Sequence, residues 1–318
     1  MKVIALTTHI YPLLSIYNYL KDDKNFKFIW VEQGSLEDEE AYKNKIPFED
    51  ISAKIRRYFD KRNLYEPLKN ISVVQIQLIK KHNIDVIFSK YVSLPLCIAK
   101  MLKKIYIHES DIVTLSNKFI QLATKVFYTF PNKKIDKKHI LTQILNPELI
   151  DYIDNIEVPE NPFLNVLIIA SQGSTRIFEN LLKILPELFN IKFQVILEKN
   201  LHFRDNFKVF QNVIAHDFVT QKRLKIYKNI DIAITRATTL WELNKFIHSI
   251  IIPLKESANN HQVENAKYFK ENFSDIIYEN ENIDFEMLKL LQKYKNLRKI
   301  LNLNDFFEPL KKIKENII

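Results

Sequence analysis

Residues 166–174 read Val-Leu-Ile-Ile-Ala-Ser-Gln-Gly-Ser: an apolar, β-branched run that ends in a small polar turn, with a helical stretch following from about Arg176 to Phe189. A short apolar run closed by turn residues and followed by a helix is the repeating unit of a parallel α/β sheet. The unit recurs on both sides. Downstream come Phe193–Leu197, Ile232–Thr235 and Ser249–Ile252; upstream, Val3–Leu6, Phe28–Val31, Val86–Ser89 and Ile105–Ile107 have the same character. Between the upstream runs, Leu68–Lys80 and Leu94–Leu102 place apolar residues three and four apart, as helices with one buried face do. The expected fold class is therefore α/β, with two doubly wound, Rossmann-like parallel-sheet domains. Ligand in such sheets binds outside the carboxyl ends of the strands, here in a cleft between the domains.

At about 150 residues per domain, 318 residues suit two domains. The first is expected over 1–150 and the second over 151–304. The linker is expected at Asp151–Pro162, where Pro159 and Pro162 stand among acidic and polar residues. The segment 305–318 is amphipathic and basic and is expected to pack back across the first domain. The longest apolar stretches, such as Ile247–Leu254, fall short of the roughly 18 residues a spanning helix needs, and Met1–Leu6 is too short for an export signal. The single cysteine, Cys97, excludes an internal disulfide and cysteine-based zinc chemistry. A net charge of +9 calls for an anionic partner: phosphate ligands, nucleic acid or an anionic membrane face. Glycine is scarce. Average usage of about 7% predicts on the order of 22, yet only Gly34 and Gly173 are present.

Five constellations carry possible chemistry. Ser171-Gln172-Gly173-Ser174 opens a helix directly after a strand, where backbone N–H groups and a hydroxyl favour a phosphate; a plain N-cap has the same composition. Thr7-Thr8-His9 ends the first strand, and His9 there either meets an anion, acts as a base or simply packs. His108-Glu109-Ser110-Asp111 follows Ile105–Ile107 and offers a general base, or a solvated loop. Thr238-Thr239-Leu240-Trp241-Glu242 follows Ile232–Thr235, with His261-Gln262 and Asn265 beyond; Glu242 suits a ribose diol or a first-turn helix partner. Finally, Arg56, Arg57, Lys61 and Arg62 interleave with Tyr58 and Phe59, fitting an anionic bilayer or a solvated basic face. No stacking platform for RNA is evident, so nucleic acid is not an expected partner. There is no Walker loop and no HExxH.

Taken in order, these pieces resemble the MurG glycosyltransferases, which add N-acetylglucosamine to lipid I to make lipid II. His9-Ile10-Tyr11-Pro12 is similar to the end of the family's GGTGGHxxP loop, and Ile51-Ser52-Ala53 with Arg56-Arg57-Tyr58 to its IxxxxxRR(Y) segment. Phe88-Ser89-Lys90 with Tyr91-Val92-Ser93 and Pro95 resembles FSKGGYVSxP, and His108–Asp111 with Asn117 resembles HExD followed by GxxN. Ser171-Gln172-Gly173 resembles GGSQG, while Arg236–Glu242, His261-Gln262 and Asn265-Ala266 resemble the donor-site RAG..T..E and HQ..NA motifs. The departures share one feature: where the family has glycines, the flanking residues here are joined directly, after Thr7, Thr8, Lys90, Thr114 and Ala237 and before Ser171. That is the pattern left when glycine codons are skipped, for instance where UGA is read as glycine, and it predicts a native protein longer than 318 residues. A second departure is Asn146-Pro147-Glu148-Leu149, which lacks the arginine of the family's NPxR.

The resemblance implies a GT-B fold, with lipid I on the first domain and UDP-N-acetylglucosamine on the second. It implies a one-step inverting displacement with no cofactor and no metal. His9 and Glu109 are the candidate bases, with Thr8 and Asp111 binding substrate. Ser171 and Gln172 would meet the pyrophosphate, Val219 and Leu240 would flank the uracil, and Glu242 would take the ribose. Thr238, Thr239 and Gln262 complete the donor set. The family works at the cytoplasmic face of the membrane, which implies peripheral attachment to anionic phospholipid through the Arg56–Arg62 segment. Two alternatives stand beside it: another GT-B lipid glycosyltransferase, and a non-catalytic basic membrane-binding protein with a decayed donor site.

Overall fold

The computed structural model describes residues 2–7, 10–32, 36–50, 76–89, 104–109, 123–130, 139–144, 163–169, 175–198, 200–217, 226, 229–237, 247–257, 260–271, 274–279, 282–293 and 304–317. The chain forms two compact units. Unit 1 comprises Met1–Pro147 together with Asn304–Ile318, and unit 2 comprises Glu148–Leu303. The expected linker Asp151–Pro162 lies outside the described residues.

Unit 1 holds strands β1 (Lys2–Thr7), β2 (Phe26–Glu32), β3 (Phe48–Asp50), β4 (Val86–Ser89), β5 (Lys104–Glu109), β6 (Lys125–Tyr128) and β7 (His139–Leu141), in the spatial order β3-β2-β1-β4-β5-β6-β7. All its pairings are parallel. Helix α1 (Ile10–Leu20) follows β1 and α2 (Leu36–Lys43) follows β2. The strand order reverses between β1 and β4, where Thr7 pairs with Ser89. Val86–Ser89 is buried throughout, which is why it reads as continuously apolar instead of alternating. Aromatic residues fill much of this core: Phe88 stacks on Phe127 at 5.5 Å, and Tyr17 meets Phe28 edge-on at 5.3 Å. The indole N–H of buried Trp30 donates to Asp38 at 2.7 Å, tying β2 to α2.

Helix α2 ends in a left-handed residue, yet that residue is Lys45 (φ 54°) and not glycine. Ile46 N–H donates to Ala41 and Lys45 N–H to Tyr42, the two bonds of a Schellman cap. Asn83 (φ 48°) and Glu198 (φ 51°) occupy the same region of backbone space. The fold therefore keeps left-handed corners, and residues with a Cβ fill them at about 1 kcal/mol or more each.

Unit 2 holds β8 (Leu164–Ile169), β9 (Ile191–Ile196), β10 (Val213–His216), β11 (Ile232–Thr235), β12 (His248–Ile251) and β13 (Ser274–Ile276), in the order β10-β9-β8-β11-β12-β13 and again all parallel. Among its described residues are helices α3 (Thr175–Ile184), α4 (Arg204–Lys208), α5 (His261–Glu271) and α6 (Ile283–Lys293). The expected helix Arg176–Phe189 stops at Ile184. Pro186 has no N–H to continue the ladder, so Leu185–Glu187 tighten into a 3₁₀ turn. Aliphatic side chains from β8, β11 and β12, with Ile177, Phe178 and Leu181 of α3 and Met287 of α6, form the core. The order here reverses between β8 and β11, where Ile169 pairs with Thr235.

The last helix, α7 (Asn304–Ile317), belongs to unit 1. It buries Leu310, Ile313 and Ile317, and Lys314 Nζ reaches Asp23 at 2.7 Å. Its Asn316 accepts a hydrogen bond from Lys125 at the start of β6. Among the described residues no helix is long and apolar enough to cross a membrane.

Candidate active site

In a doubly wound sheet the strand order reverses at one place, and the loops leaving the two central strands there part to opposite faces, opening a crevice at their carboxyl ends. Register decides which loops these are. In unit 1 the reversal lies at Thr7 and Ser89, so the loops beginning Thr8-His9 and Lys90 start side by side, with Ile107 next along. In unit 2 it lies at Ile169 and Thr235, so the loop holding Ser171–Ser174 starts beside the loop beginning Arg236, with Ile251 of β12 next along. Four of the five constellations thus leave strands at or next to a reversal.

Most of the nominated side chains lie outside the described residues: Thr8, His9, Asp111, Ser171, Gln172, Val219, Thr238, Thr239, Leu240, Glu242 and the whole segment Arg56–Arg62. Glu109 is the final residue of β5, in register with Tyr128. Gln262 is described in full.

Around Gln262 the loops of unit 2 are held by buried polar side chains. Gln262 and Asn265 are three residues apart on α5 and so share one face. Both are buried. Gln262 Oε1 accepts the Leu254 N–H at 3.0 Å, and its own N–H donates to Ser257 Oγ at 3.2 Å. Asn265 Nδ2 donates to the Ala237 carbonyl at 3.0 Å. One helical turn therefore grips both the loop after β11 and the loop after β12.

A second grip comes from charge. Arg236, 1% exposed, follows Thr235 directly; its Nη1 donates to the Ile252 carbonyl at 2.9 Å and to Glu279 Oε1 at 2.7 Å. Burial pushes the guanidinium pKa down from its usual value and Glu279 opposes that shift, while the nearby positive charge of Arg176 adds to it. Glu279 Oε2 accepts the Lys255 N–H at 3.2 Å. Arg236 and Asn265 were visible in the sequence as motif members, but neither was nominated as a site residue. Glu279 had no local signal, because it stands 43 residues from Arg236.

A cavity of about 610 Å³ lies between α3 and the start of α6, lined by Arg176, Asn180, Leu254, Glu279 and Asn282 among others. Among the described residues that line it, none is a nominated one. Leu254 and Glu279 form a wall it shares with the clasp around Gln262.

Residues 8–128 match the glycosyltransferase family 28 N-terminal domain, and residues 166–307 match the glycosyltransferase family 28 C-terminal domain. A Clostridium botulinum protein named UDP-N-acetylglucosamine--N-acetylmuramyl-(pentapeptide) pyrophosphoryl-undecaprenol N-acetylglucosamine transferase is 30% identical over 339 positions, covering 95% of this chain and 94% of its own. The chain belongs to the MurG family. A relative of the same name from Sulfurihydrogenibium is 27% identical, with 98% of this chain and 94% of its own covered. Its alignment runs over 336 positions, to which this chain supplies 98% of 318, about 312, so about two dozen positions have no residue here. Among solved structures, Acinetobacter baumannii MurG aligns over 99% of this chain and 95% of its own with a TM-score of 0.68 at 16% identity. A UDP-GlcNAc 2-epimerase from Neisseria meningitidis aligns over 100% and 99% with a TM-score of 0.67 at 14% identity. At such identities the structural likeness speaks for the fold, and that fold is GT-B.

Proposed function

We infer that this chain is a UDP-N-acetylglucosamine-dependent N-acetylglucosaminyltransferase that converts lipid I to lipid II in peptidoglycan synthesis. One observation supports the reading at the level of the site: four of the family-like motifs follow or include Thr7, Ser89, Ile169 and Thr235, the strand ends that pair where the strand order reverses, and doubly wound sheets take their ligands beside such ends. Unit 1 takes the acceptor and unit 2 the donor. The muramyl 4-hydroxyl attacks the anomeric carbon, its oxygen forming the new bond as the bond to the UDP oxygen breaks with inversion. The hydroxyl proton passes to His9 or Glu109, and Thr8 and Asp111 orient the acceptor. Ser171, Gln172 and the amides opening α3 meet the charge growing on departing UDP. Glu242 binds the ribose diol, Val219 and Leu240 enclose the uracil, and Thr238, Thr239 and Gln262 complete the sugar site. Arg56, Arg57, Lys61 and Arg62 with Tyr58 and Phe59 draw the acceptor unit to anionic phospholipid at the cytoplasmic face.

The phosphate loops need close backbone approach, which glycine provides. The two glycines of the chain and the two dozen unfilled aligned positions together support a native polypeptide with glycines at the joined motifs. Its intact mass should exceed 37.9 kDa by multiples of one glycine residue; a native mass equal to that value would sink this part of the reading. For the reaction, calorimetry with UDP-N-acetylglucosamine and transfer of labelled sugar to a soluble lipid I analogue are decisive. Binding with transfer is expected, whereas no binding would mark a decayed donor site.

A further inference from the structure

We propose that Glu279 is a positioning residue of the donor site, an inference that rests on unit 2 being the donor unit. Two of the loops assigned donor residues leave neighbouring strands: one starts at Arg236 after β11, the other runs from Ile252 after β12 towards Gln262. Glu279 belongs to neither. It follows β13, the next strand across, and its two carboxylate oxygens hold one loop each. Oε1 takes Arg236 Nη1, and Oε2 takes the Lys255 backbone N–H. Since Arg236 Nη1 also donates to the Ile252 carbonyl, the ends of β11, β12 and β13 close into one clasp.

The side-chain chemistry fits that task. Two diverging donors, one of them charged, need an acceptor with two oxygens and a negative charge, and at 11% side-chain exposure the carboxylate has little water to turn to. A glutamine would put an NH₂ against one of the two donors. An aspartate would keep the charge but lose the reach to both loops. Asn265 and Gln262 hold the same two loops at Ala237 and Leu254. The donor loops are thus fixed by an amide pair on α5 and a carboxylate after β13, so Glu279 sets their spacing without touching substrate.

The test separates spacing from stability. Glu279→Gln is expected to raise the KM for UDP-N-acetylglucosamine and the Kd for UDP by about 10- to 100-fold, the scale of a small displacement in a positioned site. Its kcat should stay within about twofold, because the base lies in the other unit. The double variant Arg236→Met with Glu279→Met removes both buried charges together and should regain most of the thermal stability lost in Glu279→Gln. Its UDP affinity should remain weak, since only the amide pair on α5 then holds the loops and the tie to β13 is gone. If Glu279→Gln binds UDP as the unsubstituted chain does, or if the double variant regains affinity along with stability, Glu279 is only a structural counter-ion. If the unsubstituted chain itself fails to bind UDP, the donor reading falls first and the inference with it.

Discussion

Unit 1 completes itself with a helix from the far end of the chain, whereas unit 2 completes its site edge with charges drawn from its own strands. In unit 1, α7 arrives after the whole of unit 2 and supplies three buried apolar side chains and an ion pair to Asp23. In unit 2, Arg236 and Glu279 bridge three neighbouring strands within 44 residues of chain. The same topology can therefore be secured by apolar burial from a distance or by a local polar clasp. The first holds a helix to a sheet; the second holds the backbone that follows β12 to the side chains that follow β11 and β13.

The largest effect should come from removing 304–317. Leu310, Ile313 and Ile317 are each almost wholly buried, and at about 1.5 to 3 kcal/mol per buried side chain their loss is worth about 5 kcal/mol or more, comparable with the stability of a domain. Unit 1 should unfold in calorimetry at a lower temperature while UDP still binds; loss of UDP binding in proportion would erase the contrast between the units. Arg236→Met, next in size, leaves the half-buried Glu279 without its cation. Unit 2 should lose about 1.5 to 3 kcal/mol, the scale of a hydrogen bond to a charged group, with the unit 1 transition unmoved, and an unchanged unit 2 would show the clasp to be idle.

Smaller effects sharpen the functional side of the contrast. Glu242→Ala should weaken UDP binding by about 1 to 3 kcal/mol through unpaired ribose hydroxyls. His9→Ala and Glu109→Ala should instead lower turnover and leave UDP affinity intact. Equal losses of UDP affinity in all three variants would mean that donor and acceptor roles are not divided between the units. The smallest effect concerns pH. Burial lowers the pKa of His216, whose Nε2 lies 2.6 Å from Gln194 Oε1. The unfolded chain takes a proton near the ordinary value of 6.5 while folded unit 2 still refuses it. Unit 2 stability should therefore be flat above that pH, fall as pH drops through it, and level off below the folded value. His216→Gln should flatten the curve; a stability that rises on acidification would reverse the sign and refute the assignment.

Much of the fold was legible because the central strands are buried on both faces. Val86–Ser89 and Ile232–Thr235 appear in the structure with the bounds their apolar runs suggested. The short strands β3, β7 and β13, three residues each, were not legible, since three residues cannot show a period. Nor was β10, whose edge position leaves Ile214 exposed and its pattern mixed. At the site, Gln262 and Asn265 were readable as members of the HQ..NA motif. Glu279 was not, as nothing near it in sequence marks it.

The sequence by itself determined the α/β class, the two-part plan and the motifs that follow the strands, because burial and backbone preference are written into neighbouring residues. Only the tertiary structure decided which motif-bearing strands pair side by side, which carboxylate meets Arg236, and which side chains of α7 unit 1 buries. Those outcomes depend on strand register and on contacts between residues tens to hundreds of positions apart, and no local pattern encodes the partner of a residue that far away.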